Sequence, residues 1–321
     1  MAAGGGARAI IAAMLANAGI AAAKFVAYLV TSSASMLAES IHSVADTSNQ
    51  ALLLLGGKRA RKIADDRHQF GYGRERYFWS FVVAMVLFSL GGLYSIYEGV
   101  TKLLHPHELS SIEWAFGVLL VGVVLESFSF RTAIVAARRV KGVRSWWEYI
   151  RTSRSPELPV VLLEDAGALL GLVLATIGVG LYAITGNELW DAVGTLCIGA
   201  LLLVIASFLT IEMKSLLIGE AATEGPIEAI TSAVATSQDV VRIIDLRTQH
   251  IGPDELLVAG KIEFTATLTA PELATAINVV ETSIREAVPL AGRIYLEPDV
   301  WTADHTPTPD GPLPEVGKAA H

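Results

Sequence analysis

The chain has 321 residues, of which 52% are hydrophobic and 17% are charged, and its formal net charge is −8. Together with a positive mean hydropathy of +0.50, this composition excludes an ordinary soluble protein and indicates a membrane protein. Acidic residues outnumber Lys and Arg by thirteen to five over residues 220–300. We therefore expect no nucleic-acid binding there, because nucleic-acid surfaces attract basic rather than acidic domains.

Six apolar segments are long enough to cross a hydrocarbon core about 30 Å thick as helices. They lie near 8–31, 34–57, 77–104, 112–137, 158–184 and 190–217. The connections at 58–76 and 138–157 are rich in Lys and Arg, whereas the other three contain neither residue. The positive-inside rule then predicts that both basic connections and both termini are cytoplasmic. The start of the chain lacks the pattern of a transit peptide, so we predict a multi-pass protein of an inner cell membrane.

A different pattern begins after the last apolar segment and predicts a small α/β domain over 220–301. Its signals are helical spacing of apolar residues, β-branched runs and alternating polarity, in the order α-β-β-α-β. The predicted fold is therefore a six-helix transmembrane domain, 1–219, followed by this C-terminal cytosolic domain. The polar, proline-rich residues 302–321 are predicted to be disordered.

Three ionisable residues, Glu39, His42 and Asp46, interrupt the second apolar segment in the stretch AESIHSVADTSNQ. At about 100° per residue they point within roughly 60° of each other, and Asn49 extends the same stripe by one turn. One interpretation is a hydrogen-bonded polar seam between helices. Charged groups are costly inside a bilayer and usually line a functional site, so the stripe favours a functional role.

The fifth apolar segment supplies the matching acids, Glu164 and Asp165. Gly167 and Gly171 follow in a small-xxx-small arrangement that allows another helix to approach closely. Imidazole and carboxylate ligands without a thiolate suit Zn²⁺, and they would also accept Co²⁺, Fe²⁺ or Mn²⁺. A histidine among carboxylates can exchange a proton for a metal ion near neutral pH, which is the chemistry of a proton antiporter.

These motifs resemble those of the cation diffusion facilitator family of divalent metal exporters, over nearly the whole chain up to about residue 300. The family carries His or Asp, then three residues, then Asp on its second helix, and His42 with Asp46 match this pattern. On the fifth helix Asp165 matches the family Asp, but Val161 stands where the preceding ligand is expected. Several phrases, among them VVLLEDAGALLG, resemble the branch of the mitochondrial zinc transporter nine. This resemblance implies that Glu164 or Glu39 replaces the ligand missing at position 161.

The resemblance also bears on two other regions of the chain. Some family members have a second metal site of one Asp and two His in the loop after the second helix, where Asp65 and His68 match and Tyr72 stands at the third position. A solvated basic loop is the alternative, and we favour it. For residues 220–301 the family implies dimerisation, so a homodimer formed through this domain is expected.

The resulting hypothesis is a non-enzymatic secondary transporter that exports Zn²⁺ from the cytoplasm in exchange for protons. Its predicted metal ligands are His42, Asp46, Asp165, Glu164 and Glu39, with Asn49, Asp65 and His68 as weaker candidates. The predicted partners are the metal ion, protons, the lipid bilayer and a second copy of the chain, and no resident cofactor is expected. The alternatives are an exporter of Mn²⁺, Fe²⁺ or Co²⁺, and a membrane scaffold or regulator that does not transport.

Overall fold

A computed structural model describes residues 3–31, 34–105 and 112–302 of the chain. The chain divides into two compact units, the first formed by Met1–Gly219 with Ile251–Asp254 and the second by Glu220–His250 with Glu255–His321. The predicted tail 302–321 lies outside the described residues except for Thr302.

Long helices build the first unit, since apolar segments in a bilayer must satisfy their backbone groups internally. They are α1 (Ala3–Thr31), α2 (Ala34–Arg59), α3 (Glu75–Val86), α4 (Tyr94–Leu104), α5 (Ile112–Lys141), α6 (Trp146–Thr152), α7 (Glu157–Thr185) and α8 (Leu189–Ile218). Helices α3 and α4 are joined without a break by a π-helical segment, Leu87–Leu93.

Within the described ranges, four helical segments are long and apolar enough to cross a membrane: Glu75–Leu104, Ala115–Lys141, Glu157–Thr185 and Leu189–Ile218. The protein is therefore a helical multi-pass membrane protein, as predicted. The other two predicted spans coincide with α1 and α2, and membrane crossing by these two helices stays a prediction.

The short helix α6 lies inside the connection 138–157, which the sequence analysis had treated as a loop. A capping box starts this helix, because Glu148 N donates to Ser145 Oγ at 3.1 Å while Ser145 N donates to Glu148 Oε2 at 3.2 Å. The S-x-x-E pattern at 145–148 is the sequence signal for such a start.

Helix α7 packs closely against α8 at Gly167 and Gly178. A Cβ atom added to Gly167 would lie 2.8 Å from Ile205 Cδ1, the end of a side chain that can shift, and one added to Gly178 would lie 3.0 Å from the Trp190 carbonyl oxygen. A larger side chain at Gly178 would therefore push the two backbones apart. Gly171 is less restricted than the pattern predicted, since an added Cβ would lie 3.7 Å from Ile198 Cγ2. Helix α7 also packs against α5, and α8 packs against α4.

The second unit contains α9 (Glu224–Ala235), β1 (Val240–Gly252), β2 (Glu255–Phe264), α10 (Ala270–Ala287) and β3 (Ala291–Pro298). Its element order is the predicted one, and its three strands form a sheet in the order β1-β2-β3, with β2 and β3 parallel. Alternate residues of β2, such as Val258 and Ile262, are fully buried against the helices' apolar faces. A capping box between Thr269 and Glu272 begins α10.

Candidate metal-transport site

Two amide side chains on α2 hold the carboxylate of Glu164 on α7. Asn49 Nδ2 donates to Glu164 Oε1 at 3.1 Å, and Gln50 Nε2 donates to Glu164 Oε2 at 2.8 Å. A second contact reaches α1, where Asn17 Nδ2 lies 3.4 Å from Gln50 Oε1. All four side chains are buried. Since an unpaired buried carboxylate is costly, these donors are what allows Glu164 to lie inside the helix bundle.

The neighbouring acid, Asp165, is held by a third helix. Ser129 on α5 donates from Oγ to Asp165 Oδ2 at 2.8 Å, and both residues are 1% exposed. Consecutive residues on a helix point about 100° apart, so α7 presents one acid toward α2 and the next toward α5. The two acids therefore connect α7 to both of its neighbours through separate hydrogen bonds.

A buried ion pair fixes the first turn of α7, two turns before these acids. Two N–H groups of Arg76 on α3 donate to the carboxylate of Glu157, Nε to Oε1 and Nη2 to Oε2, the second at 2.9 Å. The two side chains are 16% and 9% exposed. Loss of Arg76 would cost about 3–5 kcal/mol, because the Glu157 carboxylate would be left buried without this partner.

The acids line a cavity of about 340 Å³ between the helices of the first unit. Its polar lining at one end comes from four helices: Asn17, Ser43, Asp46, Glu126, Glu164 and Asp165. Apolar side chains and glycines of α7 form its middle, so the carboxylates face a partly enclosed space with a mainly apolar lining. Charges in such a space attract a cation more strongly than they would in water.

The predicted ligands divide into those with described side chains and those without. Asp46, Glu164 and Asp165 lie around the same cavity, and Asn49 contacts Glu164 directly. The side chains of Glu39 and His42 lie outside the described part of the structure. Among the side chains that are described, no three His, Cys, Asp or Glu are close enough together to hold a metal ion. The described carboxylates thus share a cavity without forming a closed coordination shell.

Val161, at the position of the missing family ligand, is fully buried in the apolar core of the first unit. It packs with residues such as Val160 and Leu162 and does not contribute to the lining of the described cavity. Its burial is consistent with the prediction that another residue provides the ligand.

Sequence reasoning missed Gln50 and Ser129, which hold the two acids. Gln50 and Asn49 are adjacent amides in an apolar segment, which is a visible signal of a buried polar contact. Ser129 carried no such signal, because serine commonly bonds to its own helix backbone. Hydrogen bonds between helices, which were the alternative interpretation of the polar residues on α2, are thus present at Asn49 and Gln50. They hold Glu164, which is also a predicted metal ligand.

The loop after α2 has a local structure of its own. Tyr72 Oη donates to Asp65 Oδ2 at 2.5 Å, and the backbone N–H groups of Arg67 and His68 donate to Asp65 Oδ1 at 3.1 and 2.8 Å. The Tyr72 hydrogen bond, followed by that from the His68 backbone, lowers the pKa of Asp65, and the same contact with Asp65 raises the pKa of Tyr72. Both Asp65 oxygens therefore order this exposed loop, and His68 Nδ1 lies 3.4 Å from Asp65 Oδ1. Metal binding at this loop is untested by these contacts, and the solvated loop stays the favoured interpretation.

Acidic side chains around an internal cavity are typical of helical membrane proteins that transport ions. The fold and the site therefore indicate a transport protein. Residues 10–218 match the family model described as the cation efflux transmembrane domain. The chain therefore belongs to the cation efflux family, as the motifs predicted.

Curated relatives support the same branch of the family. The mitochondrial proton-coupled zinc antiporter SLC30A9 is 36% identical to the chain in Xenopus laevis and 34% identical in Homo sapiens, in each case over 244 residues or 75% of the chain. Metal tolerance protein C4 of Arabidopsis thaliana is 30% identical over 80% of the chain. The aligned parts cover 44%, 43% and 57% of these relatives, so the chain spans about half the length of the curated relatives it matches.

Proposed function

We propose that the protein is a secondary transporter that exports Zn²⁺ from the cytoplasm in exchange for protons. The observation that carries this proposal is the internal cavity lined by Asp46, Glu164 and Asp165, which come from two helices of the cation efflux domain. His42 lies on the same helix as Asp46 and, in this proposal, binds the metal ion and carries the exchanged proton. The names of the SLC30A9 relatives, which specify zinc and proton coupling, support this choice of substrates.

The site would bind the ion through Asp46, His42 and Asp165, with Glu164 or Glu39 replacing the ligand missing at Val161. Glu164 is suited to this role because Asn49 and Gln50 orient both of its oxygens. Hydrogen bonds that orient a metal ligand in this way typically change metal affinity by about 10- to 100-fold.

Transport of Mn²⁺, Fe²⁺ or Co²⁺ is the second candidate function. It is favoured by the cavity's described acids, since oxygen ligands suit harder ions such as Mn²⁺ better than they suit Zn²⁺. Competition between these ions and Zn²⁺ for uptake would separate the two candidates.

The remaining parts of the proposal concern assembly and location. We propose a homodimer through residues 220–301, and an inner cell membrane with both termini in the cytoplasm. The names of the SLC30A9 relatives place those proteins in mitochondria. The same proposal includes a transmembrane domain over 1–219, a cytosolic domain over 220–301 and a disordered tail over 302–321.

The test is Zn²⁺ uptake into proteoliposomes with an imposed pH gradient, for the unsubstituted protein and for Asp165→Asn. The asparagine keeps the shape of the side chain and an oxygen that can accept from Ser129, so the substitution removes chiefly the charge. We expect flux that follows the gradient, and a loss of at least about tenfold in the variant. Glu113→Gln, an equivalent change at an exposed residue outside the cavity lining, is the control.

Normal flux in Asp165→Asn would show that the site is wrong. Absence of Zn²⁺ flux in a folded protein that transports Mn²⁺ or Fe²⁺ would favour the second candidate. Absence of flux for every one of these ions would favour a scaffold or regulator.

A further inference from the structure

A second charged cluster lies in the same cavity at the end remote from Glu164. Lys102 on α4 places Nζ 2.9 Å from Asp191 Oδ2 on α8 and 3.5 Å from Glu98 Oε1, one turn earlier on its own helix. The same ammonium donates to Thr195 Oγ1 at 3.2 Å. All four residues line the cavity, and neither the family motifs nor the proposed site uses them.

The cluster is far from the proposed metal site but open to the same space. Along α7 the cavity lining runs from Glu164 to Val179, 15 residues further on, which is about 22 Å at 1.5 Å per residue. Asp191 lies at this far end, because a Cβ added to Gly178 would be 3.7 Å from the Asp191 Cα. Apolar residues such as Leu172 and Ile198 line the stretch in between.

Two carboxylates that converge on one point are a natural place for a divalent cation to bind. Here that point is taken by the Lys102 ammonium, a compact single charge on a flexible stem. The Glu98, Lys102 and Asp191 side chains are 34%, 33% and 20% exposed, so they are partly shielded from water. Without Lys102, the cluster would change from a net charge of −1 to −2 at the end of the cavity.

We propose that Lys102 acts as a tethered cation that keeps the transported divalent ion from binding between Glu98 and Asp191. The ion can then traverse this end of the cavity without being retained there. This role rests on the proposed function, since it assumes that the cavity is the ion's path. In this role Lys102 determines where the divalent ion binds in the cavity. The alternative is that Lys102 only joins α4 to α8 through an ion pair.

The first experiment counts bound Zn²⁺ by equilibrium dialysis of the full chain in detergent. Lys102→Gln should bind one more ion per chain than the unsubstituted protein, and Lys102→Arg should bind no extra ion because it keeps the positive charge. Adding Asp191→Asn to Lys102→Gln should abolish the extra ion. Lys58→Gln, which removes the same charge from an exposed position at the end of α2, is the matched control and should leave the number of ions unchanged.

The second experiment measures the local potential without any metal. Cys197, the chain's single cysteine, is exposed and can be removed by Cys197→Ser. Ser95→Cys then places a thiol on the cavity wall one turn before Glu98. The rates of its reaction with cationic and anionic methanethiosulfonate reagents are compared. Lys102→Gln should raise the cationic-to-anionic rate ratio by about tenfold, and Asp191→Asn should lower it.

The two experiments separate the proposal from its structural alternative. A purely structural ion pair predicts that Lys102→Gln gains no Zn²⁺, and that result would overturn the role of Lys102. An unchanged rate ratio in Lys102→Gln would also overturn it, because the ammonium would then not set the potential at this end of the cavity. Each Lys102 or Asp191 variant is compared with its own parent, the unsubstituted chain for dialysis and the Cys197→Ser, Ser95→Cys chain for the rates. Neither comparison requires transport, so a failure of the proposed transport function would appear separately, as absent flux in proteoliposomes.

Discussion

Replacing Gln50 with leucine tests whether the amides on α2 hold Glu164 in its binding position. The leucine side chain is similar in size, so the change removes chiefly the amide group. Glu164 Oε2 loses the donor now 2.8 Å away, and Asn17 loses the acceptor 3.4 Å away. All three side chains are buried, Gln50 completely, so water does not readily replace the lost partners.

The expected cost follows from these contacts. A hydrogen bond to a charged group contributes about 1.5–3 kcal/mol, and the Asn17 contact is long enough to add little. We therefore expect Gln50→Leu to lower the free energy of unfolding by about 2–3 kcal/mol. Because Glu164 also loses one of the two hydrogen bonds that orient its carboxylate, Zn²⁺ affinity should fall by about 10- to 100-fold.

The assay combines thermal unfolding in detergent with Zn²⁺ titration at equilibrium. Thr176→Val is the matched control, since Thr176 is on α7 with Glu164 but donates to its own helix backbone at Leu172 O, 2.7 Å away. That variant should keep the Zn²⁺ affinity of the unsubstituted protein. If Gln50→Leu has the same unfolding temperature and the same Zn²⁺ affinity as the unsubstituted protein, then Gln50 does not position Glu164.

Two further predictions concern positions where this chain departs from the family pattern. Val161→His should not raise Zn²⁺ affinity and should destabilise the protein by at least about 2 kcal/mol. The reason is that Val161 is fully buried, so the imidazole adds volume and polar atoms to the core. Tighter Zn²⁺ binding in a titration would contradict this prediction. Tyr72→Phe should raise the pKa of Asp65 toward its usual value, because the Tyr72 hydrogen bond is the main cause of its lowering.

The pH dependence of the loop follows from the direction of that shift. The pKa of Asp65 is lower in the folded loop than in an unfolded chain, so its contribution to loop stability is present above the unfolded pKa and is lost as the pH falls through the folded pKa. A carbon NMR titration of labelled aspartate carboxyls measures the pKa, with Asp65→Asn to assign the signal. An unchanged Asp65 titration in Tyr72→Phe would show that the hydrogen bond does not cause the shift.

Much of the fold could be predicted because its signals are local in the sequence. Apolar length located the helices of the first unit, and alternating polarity located strands such as β2. The pairs Glu164 with Asp165 and Asp46 with His42 were visible because charged residues are rare in such segments. Their roles in metal binding remain a proposal.

The tertiary structure decided which partner each polar group has. Glu164 bonds to residues 114 and 115 positions away, and Asp165 bonds to Ser129, 36 positions away. Likewise, Lys102 lies beside Asp191 because α4 packs against α8. A helical pattern fixes which side chains share a face, but the rotation and approach of neighbouring helices determine which faces meet. Those depend on packing between distant segments, and the sequence of one segment does not contain that information.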